Sequence, residues 1–228
     1  MNLRIIGTSH IARQSIEEIK KAIEDDTPDI VAVELDRERA AALMQKQQRR
    51  ISFREIAQIG LRGYLFVRIG QYLQQKLGKM VGVAPGSEMK AAIELARKKN
   101  LELALIDQPI TTTLRHFSKN LTWTEKGRFV LDMVKGVFLP KKQIKELGLD
   151  NFDLHKVPAD EMIQKMMAPL KRRYPSVYKT LVEDRNKYMV KQLIKLMREK
   201  PGKKILAVVG AGHKEGMEKL LLKVEIVR

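Results

Sequence analysis

The sequence has no cysteine among its 228 residues. Without thiols the chain can form no disulfide framework, no thiolate metal site and no cysteine nucleophile. Aromatic residues are scarce, at 5% with a single tryptophan, which disfavours a base-stacking surface for nucleic acid. The sequence also lacks an uncharged apolar run long enough to cross a bilayer and the apolar core of a signal peptide. We therefore expect this chain to be cytoplasmic.

The chain also has few acidic residues relative to basic ones. The chain carries 44 Lys and Arg against 27 Asp and Glu, a net charge of +17. Nucleic acid, an anionic lipid surface and an anionic substrate are then the partner classes to consider. No nucleic-acid motif is present, and few aromatics lie among the basic residues. We expect no specific nucleic-acid binding and keep it as the weakest alternative.

Short runs rich in valine and isoleucine alternate with helical patterns along the chain. Near-continuous apolar runs of this kind are typical of strands covered on both faces, and hence of a parallel sheet. Apolar residues at helical spacing predict helices over Ser15–Ile23 and Met89–Lys99. The order predicts an α/β fold, a mostly parallel sheet with helices on both faces. The predicted strands are Leu3–Gly7, Ile30–Leu35, Leu101–Asp107, Ile205–Gly210 and, more weakly, Val224–Val227.

Two long helical stretches interrupt this alternation. We predict one α/β domain over 1–228, with helical insertions at about 37–84 and 117–200. Three glycines lie within an apolar helical pattern in the first insertion, over 54–78. Interior glycine costs about 0.8–1 kcal/mol against alanine, so close packing or a bend is expected there. A packed helical hairpin, a homo-oligomer surface and a membrane-surface helix remain open for this segment.

Acidic and histidine side chains follow four of the predicted strands. They are His10 after the first, Glu34 after the second, Asp107 after the third and His213 after the fourth. The carboxyl ends of parallel strands meet at one edge of a sheet, where ligands bind. Both histidines stand in a Gly-x-x-His context, and imidazole with carboxylate is an ordinary ligand set for a divalent metal. The alternative is that each histidine caps the following helix.

Glycine and arginine residues accompany these strand ends. Gly7, Gly210 and Gly212 would let the backbone turn sharply and a ligand approach closely. Arg39 would lie on the first turn of the helix after the second strand, where it can hold an anion or stabilise developing oxyanion charge. Arg115 could reach the same edge from the segment after Asp107.

Two further charged residues are candidates for the chemistry. Arg185 lies among apolar neighbours in a predicted helix, and a buried arginine needs a partner. Glu88 follows Ser87, which could cap a helix whose first turn would then hold the carboxylate. The phosphate-binding loop and the serine-hydrolase elbow are both missing, and the glycines after 210 do not match the dinucleotide fingerprint.

A series of motifs resembles the TraB/PrgY/GumN family over essentially the whole chain. The motifs, in their expected order, are Gly7-Thr8-Ser9-His10 with Ser15, Glu34-Leu35-Asp36 with Arg39, Pro85-Gly86-Ser87-Glu88-Met89, Asp107 with Thr113-Leu114, Asp184-Arg185, and Gly210-Ala211-Gly212-His213. That family is similar to the Tiki metalloproteases and, more distantly, to erythromycin-esterase-like and ChaN-like folds. The resemblance implies a divalent-metal hydrolase site built from the two Gly-x-x-His motifs and the Glu-plus-Arg element.

The chain departs from the family pattern at three places. Gln108 and His116 stand where the family often has arginine, and Asn186 replaces an aspartate. These changes leave the two histidines and Glu34 untouched. Many archaeal relatives carry a membrane-spanning region after this domain, and this chain stops where it would begin. The resemblance thus raises the alternative of a chain cut from a membrane-associated protein, with its basic surface facing an anionic leaflet.

The expected function is a metal-dependent hydrolase resembling a peptidase, acting on a peptide or small amide in the manner of the pheromone-shutdown proteins. His10, Glu34 and His213 are the expected ligands of a Mn, Co or Zn ion. Glu88 or Asp107 is the candidate base, and either Arg39 or Arg185 would stabilise the oxyanion, while Arg115 and the three glycines contact the substrate. The alternative is a non-catalytic module that binds a peptide or a partner in the same pocket.

Overall fold

Four parallel strands form the centre of the molecule in a computed structural model, which describes residues 2–8, 12–45, 86–138 and 167–226. The strand order is β1-β4-β2-β3. Every pairing is parallel, with β4 between β1 and β2. The α/β class with a parallel sheet is confirmed. The strands are β1 Leu3–Thr8, β2 Ile30–Val33, β3 Glu102–Leu105 and β4 Ile205–Gly210.

Helices precede and follow the strands along the chain. Helical backbone also covers 167–173. A π-helical turn, Lys179–Glu183, directly follows one helix and directly precedes the next, so that helical backbone runs without a break over 175–199. The labelled helices are α1 Ala12–Asp26, α2 Arg37–Met44, α3 Ser87–Lys98, α4 Ile110–Asn120, α5 Trp123–Phe138, α6 Pro175–Tyr178, α7 Asp184–Glu199 and α8 Ala211–Ile226.

The sheet is buried on both faces because its two central strands, β2 and β4, contain no polar side chain. Successive side chains of β2 point to opposite faces, so Val31 and Val33 enter one core while Ile30 and Ala32 enter the other. All four β2 side chains are fully buried. Helices on both faces, as predicted from the unbroken apolar runs, are thus confirmed.

The first core lies beneath α1, α2 and α3. Ile19 and Ile23 of α1 are four residues apart and pack with Ile93 of α3 over Val31 and Val33. The helices predicted over Ser15–Ile23 and Met89–Lys99 correspond to α1 and α3. Ser87, predicted to cap α3, is instead its first residue. Gly86 takes the capping position with a left-handed φ of 82° and no side-chain hydrogen bond.

The second core lies beneath α7 and α8. Met189 and Leu193 of α7 and Met217 and Leu221 of α8 are buried against the opposite face of the sheet. The weak strand predicted over Val224–Val227 is wrong, because α8 continues to Ile226. The apolar residues of α8 lie three or four positions apart, a spacing that suits a helix face packed on this core.

The second predicted insertion is helical in its described parts. Glu125 and Thr122 form a capping box at the start of α5, with Glu125 N to Thr122 Oγ1 at 3.2 Å and Thr122 N to Glu125 Oε2 at 3.1 Å. The other Glu125 oxygen accepts from Ser176 N at 2.7 Å, which ties α5 to α6. Arg173 and Tyr174 both bond the Asp132 carboxylate, which links α5 to the end of the helical segment 167–173 and to the residue before α6.

Parts of the sequence-based prediction lie outside the described residues. The glycine-containing segment 54–78 is one, and most of the first predicted insertion lies there with it. The division of the chain into one domain with two insertions stays a prediction. Within the described ranges, no helix combines the length and the apolar character needed to cross a membrane.

Candidate functional site

The carboxyl edge of the sheet brings three of the predicted residues together. Glu34 follows β2, Asp107 follows β3, and His213 lies in the first turn of α8, directly after β4. Backbone bonds extend the ladder past the strands and align their ends, with Glu34 N to Val208 O at 3.1 Å and Asp107 N to Leu35 O at 3.3 Å. His213 Nε2 lies 3.3 Å from Glu34 Oε1. The parallel topology thus places these side chains in one cluster.

Arg185 lies at the centre of this cluster. Its Nη2 contacts Glu34 Oε1, and it donates from Nη2 and Nε to the two Asp107 oxygens at 2.7 and 3.2 Å. Its Nη1 lies 3.0 Å from His213 Nε2. Only 14% of the Arg185 side chain is exposed. The partner that a buried Arg185 requires is present, and the structure supplies two carboxylates in that role.

A π-helical turn directly precedes Arg185. Lys179–Glu183 form this turn, and α7 begins at Asp184. A π-turn adds about one residue to a helical turn, so the side chains after it are rotated by roughly 100° around the axis. Within that turn Thr180 is fully buried and accepts from Asn120 Nδ2 of α4 at 3.4 Å. We interpret the turn as the local feature that aims Arg185 at the strand ends.

Arg39 joins the cluster from its solvent-facing side. Its Nη1 donates to Asp107 Oδ2 at 2.7 Å, and 31% of its side chain is exposed. Asp36 caps α2 by accepting from the N–H groups of Glu38 and Arg39, both at 2.9 Å. The Asp36 carboxylate also accepts from Ile110 N at 3.3 Å. Asp36 therefore orients the helix that carries Arg39 rather than entering the cluster itself.

The hydrogen bonds of His213 determine its tautomer. Arg185 Nη1 can only donate, so His213 Nε2 accepts from it and carries a lone pair. His213 Nδ1 then bears the proton and donates to Asn186 Oδ1 at 2.7 Å. Asn186 is 3% exposed and His213 is 8% exposed. The imidazole is therefore neutral, and its Nε2 lone pair accepts from Arg185.

The ionisation states of the cluster follow from burial and from these contacts. Burial lowers the pKa of His213 from 6.5, and although Glu34 raises it, Arg185 lowers it further. Burial alone would raise the pKa of Glu34, but His213 when it is protonated, the Arg185 guanidinium and the Gly210 N–H lower it to about 2. Burial also opposes the charge of Arg185, whose pKa is nevertheless raised by Glu34 and Asp107. Two carboxylates thus balance two guanidinium groups around a neutral imidazole.

Two of the three predicted glycines have an assigned structural role. Gly210 donates its N–H to Glu34 Oε2 at 2.7 Å, and a Cβ at this position would lie 3.4 Å from the same oxygen. Gly7 packs against α8 instead, since a Cβ there would lie 3.1 Å from Ala211 Cα and 3.3 Å from Lys214 Cβ. Gly212 lies in the first turn of α8. Gly210 therefore belongs to the cluster, and Gly7 allows the helix carrying His213 to approach β1.

The remaining predicted residues divide between the surface and the interior. Arg115 and His116 are both exposed on α4, whose buried face carries Thr113 and Leu114. Glu88 is 1% exposed in the first turn of α3, as predicted. Asp107 is buried, and its oxygens accept from Gln108 N as well as from the two arginines. These contacts suit a residue that positions guanidinium groups, and the roles of Glu88 and Asp107 as bases stay predictions.

Only part of the predicted metal site lies within the described residues. His10, one of its three expected ligands, lies outside the described residues, as does His155. Among the described residues no group of three His, Cys, Asp or Glu side chains could hold a metal ion. Glu34 and His213 do meet, as predicted. The convergence of all three residues stays a prediction.

Sequence reasoning missed the role of Asn186. It was noted only as a departure from the family's aspartate, yet it holds the imidazole in one tautomer. A signal was available in its position, because Asn186 directly follows the predicted buried Arg185. Gln108, a second departure, donates from Nε2 to Thr113 Oγ1 at 2.8 Å and links the end of β3 to α4.

Similarity to known proteins extends over nearly the whole chain. The model of the TraB/PrgY/gumN family matches residues 2–225. The chain belongs to the TraB/PrgY/gumN family. An uncharacterized protein of Methanocaldococcus jannaschii is 33% identical over 226 residues, which cover 98% of this chain and 54% of that protein. The TraB domain-containing proteins of Bos taurus and Homo sapiens are each 25% identical over 243 residues, which cover 94% of this chain and 61% of theirs.

The TraB-family resemblance stated from the motifs is thereby confirmed. This chain spans between about half and three fifths of the length of these relatives. The matched length includes every element of the cluster, from Glu34 to His213. Family membership is shown over this matched region, which contains the cluster. It does not by itself give the activity.

Proposed function

We propose that the chain is a divalent-metal-dependent hydrolase that cleaves a peptide or a small amide at the carboxyl edge of its sheet. The observation that carries this proposal is the pair formed by His213 and Glu34. A metal ligand must be neutral if it is imidazole and ionised if it is carboxylate. His213 Nε2 carries a lone pair and lies 3.3 Å from Glu34 Oε1, and the pKa of Glu34 is about 2. Both groups are therefore in the state that a metal requires.

The chemistry and spacing of His213 and Glu34 suit a divalent metal ion. Imidazole nitrogen and carboxylate oxygen bind Mn, Co and Zn, with bonds of about 2.0–2.2 Å to zinc. Two such atoms on one ion lie roughly 3 Å apart, and His213 Nε2 lies 3.3 Å from Glu34 Oε1. Asn186 supplies the outer hydrogen bond that metal-binding histidines commonly make through their other nitrogen. His10 is the third proposed ligand.

A bound metal would lower the pKa of a water and polarise the amide carbonyl. The chain's own residues supply the remainder. Asp107 holds Arg39 and Arg185 at fixed positions through its two oxygens. Arg185 already contacts His213 and Glu34, so an ion on His213 Nε2 would take the lone pair that now accepts from Arg185 Nη1, and Asp107 would keep Arg185 in place. Arg39, at the exposed side, would donate to the oxyanion of the substrate.

The experiment is a metal-binding and hydrolysis assay on the purified chain. The protein is stripped with a chelator, reloaded with Mn, Co or Zn, analysed for bound metal and incubated with a peptide pool read by mass spectrometry. We expect cleavage that the chelator abolishes. His213→Ala and Glu34→Gln should each lower turnover at least about 100-fold, because each would remove a ligand. The control, His116→Ala, changes an exposed histidine of α4 and should retain activity.

A non-catalytic binding module is the second candidate, favoured by a different observation. Arg39 and Arg185 already satisfy Asp107, and Arg185 also contacts Glu34 and His213, so the cluster balances its own charge. On this alternative the wild type would take up no divalent metal and cleave nothing, yet bind a peptide tightly. That result would replace the hydrolase proposal with the binding module. His213→Ala would then weaken peptide binding at most.

A further inference from the structure

A groove of about 580 Å³ runs between α7 and α8, apart from the strand-end cluster. Its floor is aliphatic, formed by Val190 and Ile194 of α7 and by Leu220 and Val224 of α8. These side chains are buried or partly buried, so the floor is recessed below the surface. The floor continues the second core, since Val190, Ile194 and Leu220 also pack with it. The groove is a concave apolar surface on an otherwise charged helix pair.

One rim of the groove is a row of cations on α7. Lys187, Lys191, Lys195 and Arg198 line it and are all exposed. At 1.5 Å per residue the three lysines are about 6 Å apart along the helix axis, and the row is about 16 Å long. Within the described residues only Lys195 has an ion-pair partner, which is Glu199 at 3.7 Å. The row therefore presents regularly spaced positive charge that the described part of the chain leaves mostly unbalanced.

We propose that this groove binds an acidic amphipathic helix of a partner protein. A helix is convex, so its apolar stripe can enter the recessed floor. Carboxylates placed every four residues along that helix repeat at about 6 Å, the same interval as the lysines. The rim pairs are exposed and individually weak, so the row sets orientation and partner choice while the aliphatic floor provides most of the affinity. This inference is independent of the proposed hydrolase activity.

The groove favours such a helix over the other anionic partners. Single-stranded nucleic acid is held by aromatic side chains that stack on bases, and all four floor residues are aliphatic. A helix that binds a membrane surface exposes its apolar face to the bilayer, whereas Val190 is buried and Ile194 and Leu220 are half-buried. Recessed apolar residues beside a straight row of cations suit a convex, regularly charged ligand.

The test measures binding of a fluorescein-labelled peptide of about 18 residues by anisotropy. The peptide carries leucines at helical spacing on one face and glutamates every fourth residue beside them. A scrambled peptide of the same composition is its control. We expect saturable binding of the patterned peptide only, weakening as salt rises because the rim contacts are exposed. Equal binding of both peptides would overturn the proposal, as would binding to neither.

Charge reversal locates the contact on the protein. The double variant Lys187→Glu with Lys191→Glu should raise the Kd at least tenfold. The matched control, Lys20→Glu with Lys21→Glu on the exposed side of α1, changes the net charge equally and should leave the Kd within about twofold. A third variant, Ile194→Ala, keeps the charge and removes part of the floor, so it should raise the Kd at least fivefold. Circular dichroism establishes that each variant is folded.

Two outcomes would assign the groove to another partner class and overturn the proposal. One is that phosphatidylglycerol vesicles or a 20-nucleotide DNA bind through the same lysines while the patterned peptide does not. The other is that both charge-reversed variants weaken peptide binding alike, which would mean that net charge and not the groove attracts the peptide.

Discussion

Two clusters in this molecule pair arginine with carboxylate side chains, one at the buried edge of the sheet and one on a more exposed helix surface. At the sheet edge Arg185 joins Glu34 and Asp107, with 14%, 9% and 1% of these side chains exposed. Beside α5, Arg173 pairs with Asp132, with 36% and 15% exposed. The first cluster links the ends of β2 and β3 to three helices, α2, α7 and α8, and the second links neighbouring helical segments. The difference indicates that burial and topology, rather than the ion pair itself, make the first a candidate site.

The largest expected contrast comes from removing each arginine. Arg185→Met would leave Glu34 without its guanidinium partner and Asp107 with Arg39 alone. Breaking a buried pair in this way costs about 3–5 kcal/mol of folding free energy. Arg173→Met breaks a more exposed pair and should cost about 1 kcal/mol. Urea unfolding followed by circular dichroism measures both. Equal losses in the two variants would show that the sheet-edge cluster is energetically ordinary.

The pH dependence of the free energy of unfolding should also differ between the two clusters. The pKa of Glu34 is lowered to about 2 from 4.5, so its unfolded form binds a proton first as pH falls. Stability should therefore decline by about 3 kcal/mol between about pH 5 and 2. Because the pKa of His213 is lowered from 6.5, a further loss is expected as pH falls below that value. Glu34→Gln should remove most of the loss below pH 5 in pH-dependent unfolding measurements.

The second cluster should act at the opposite end of the pH scale. Burial and the hydrogen bond to Asp132 raise the pKa of Tyr174 from 10.0 to about 12. The unfolded chain then loses the tyrosine proton first, so the stabilising effect is complete below pH 10 and disappears as pH rises toward 12. Tyr174→Phe should flatten this alkaline decline without changing the acid one. An unchanged alkaline decline in that variant would contradict the assigned hydrogen bond.

The smallest expected effect, and the most local one, concerns two glycines. A Cβ at Gly216 would lie 2.3 Å from Asn186 Nδ2, whereas nothing lies within 4 Å of a Cβ at Gly127. Gly216→Ala should displace Asn186 from His213 and cost about 1–3 kcal/mol. Gly127→Ala on exposed helix should instead stabilise the chain by up to about 1 kcal/mol.

Nitrogen NMR of His213 provides the local measurement for these variants. In the wild type and in Gly127→Ala the shifts should report a neutral ring with the proton on Nδ1. In Gly216→Ala the Nδ1 signal should change as the bond to Asn186 is lost. If the ring signals are the same in all three proteins, Asn186 does not hold the tautomer, and the metal-ligand role proposed for His213 loses its support.

Much of the fold could be predicted because it rests on local pattern. The apolar runs at 3–7, 30–35, 101–107 and 205–210 correspond to the four strands described, and their lack of alternation indicated cover on both faces. The error at Val224–Val227 has the same origin. A short apolar run suits a strand or a buried helix equally, and packing of α8 on the sheet decides between them.

The candidate site could be predicted in part for a similar reason. Glu34, Asp107 and His213 each follow a strand, so a parallel sheet brings them to one edge whatever the details of packing. Arg115 could not be placed this way, because its exposure depends on which face of α4 turns toward the core. The bond from Asn186 to His213 joins two helices that only the folded chain brings together.

The sequence by itself determined the class of fold, the family and the edge at which polar residues collect, because strand ends and hydrophobic period are local properties of the chain. The tertiary structure decided which residues touch. It placed the Arg185 guanidinium between two carboxylates and an imidazole, through a helix rotated by a π-turn and packed over β4. It also set the neutral state of His213, since burial, one accepted and one donated hydrogen bond act there together. Ionisation depends on distances of a few ångströms between residues far apart in sequence, and only folding fixes those distances.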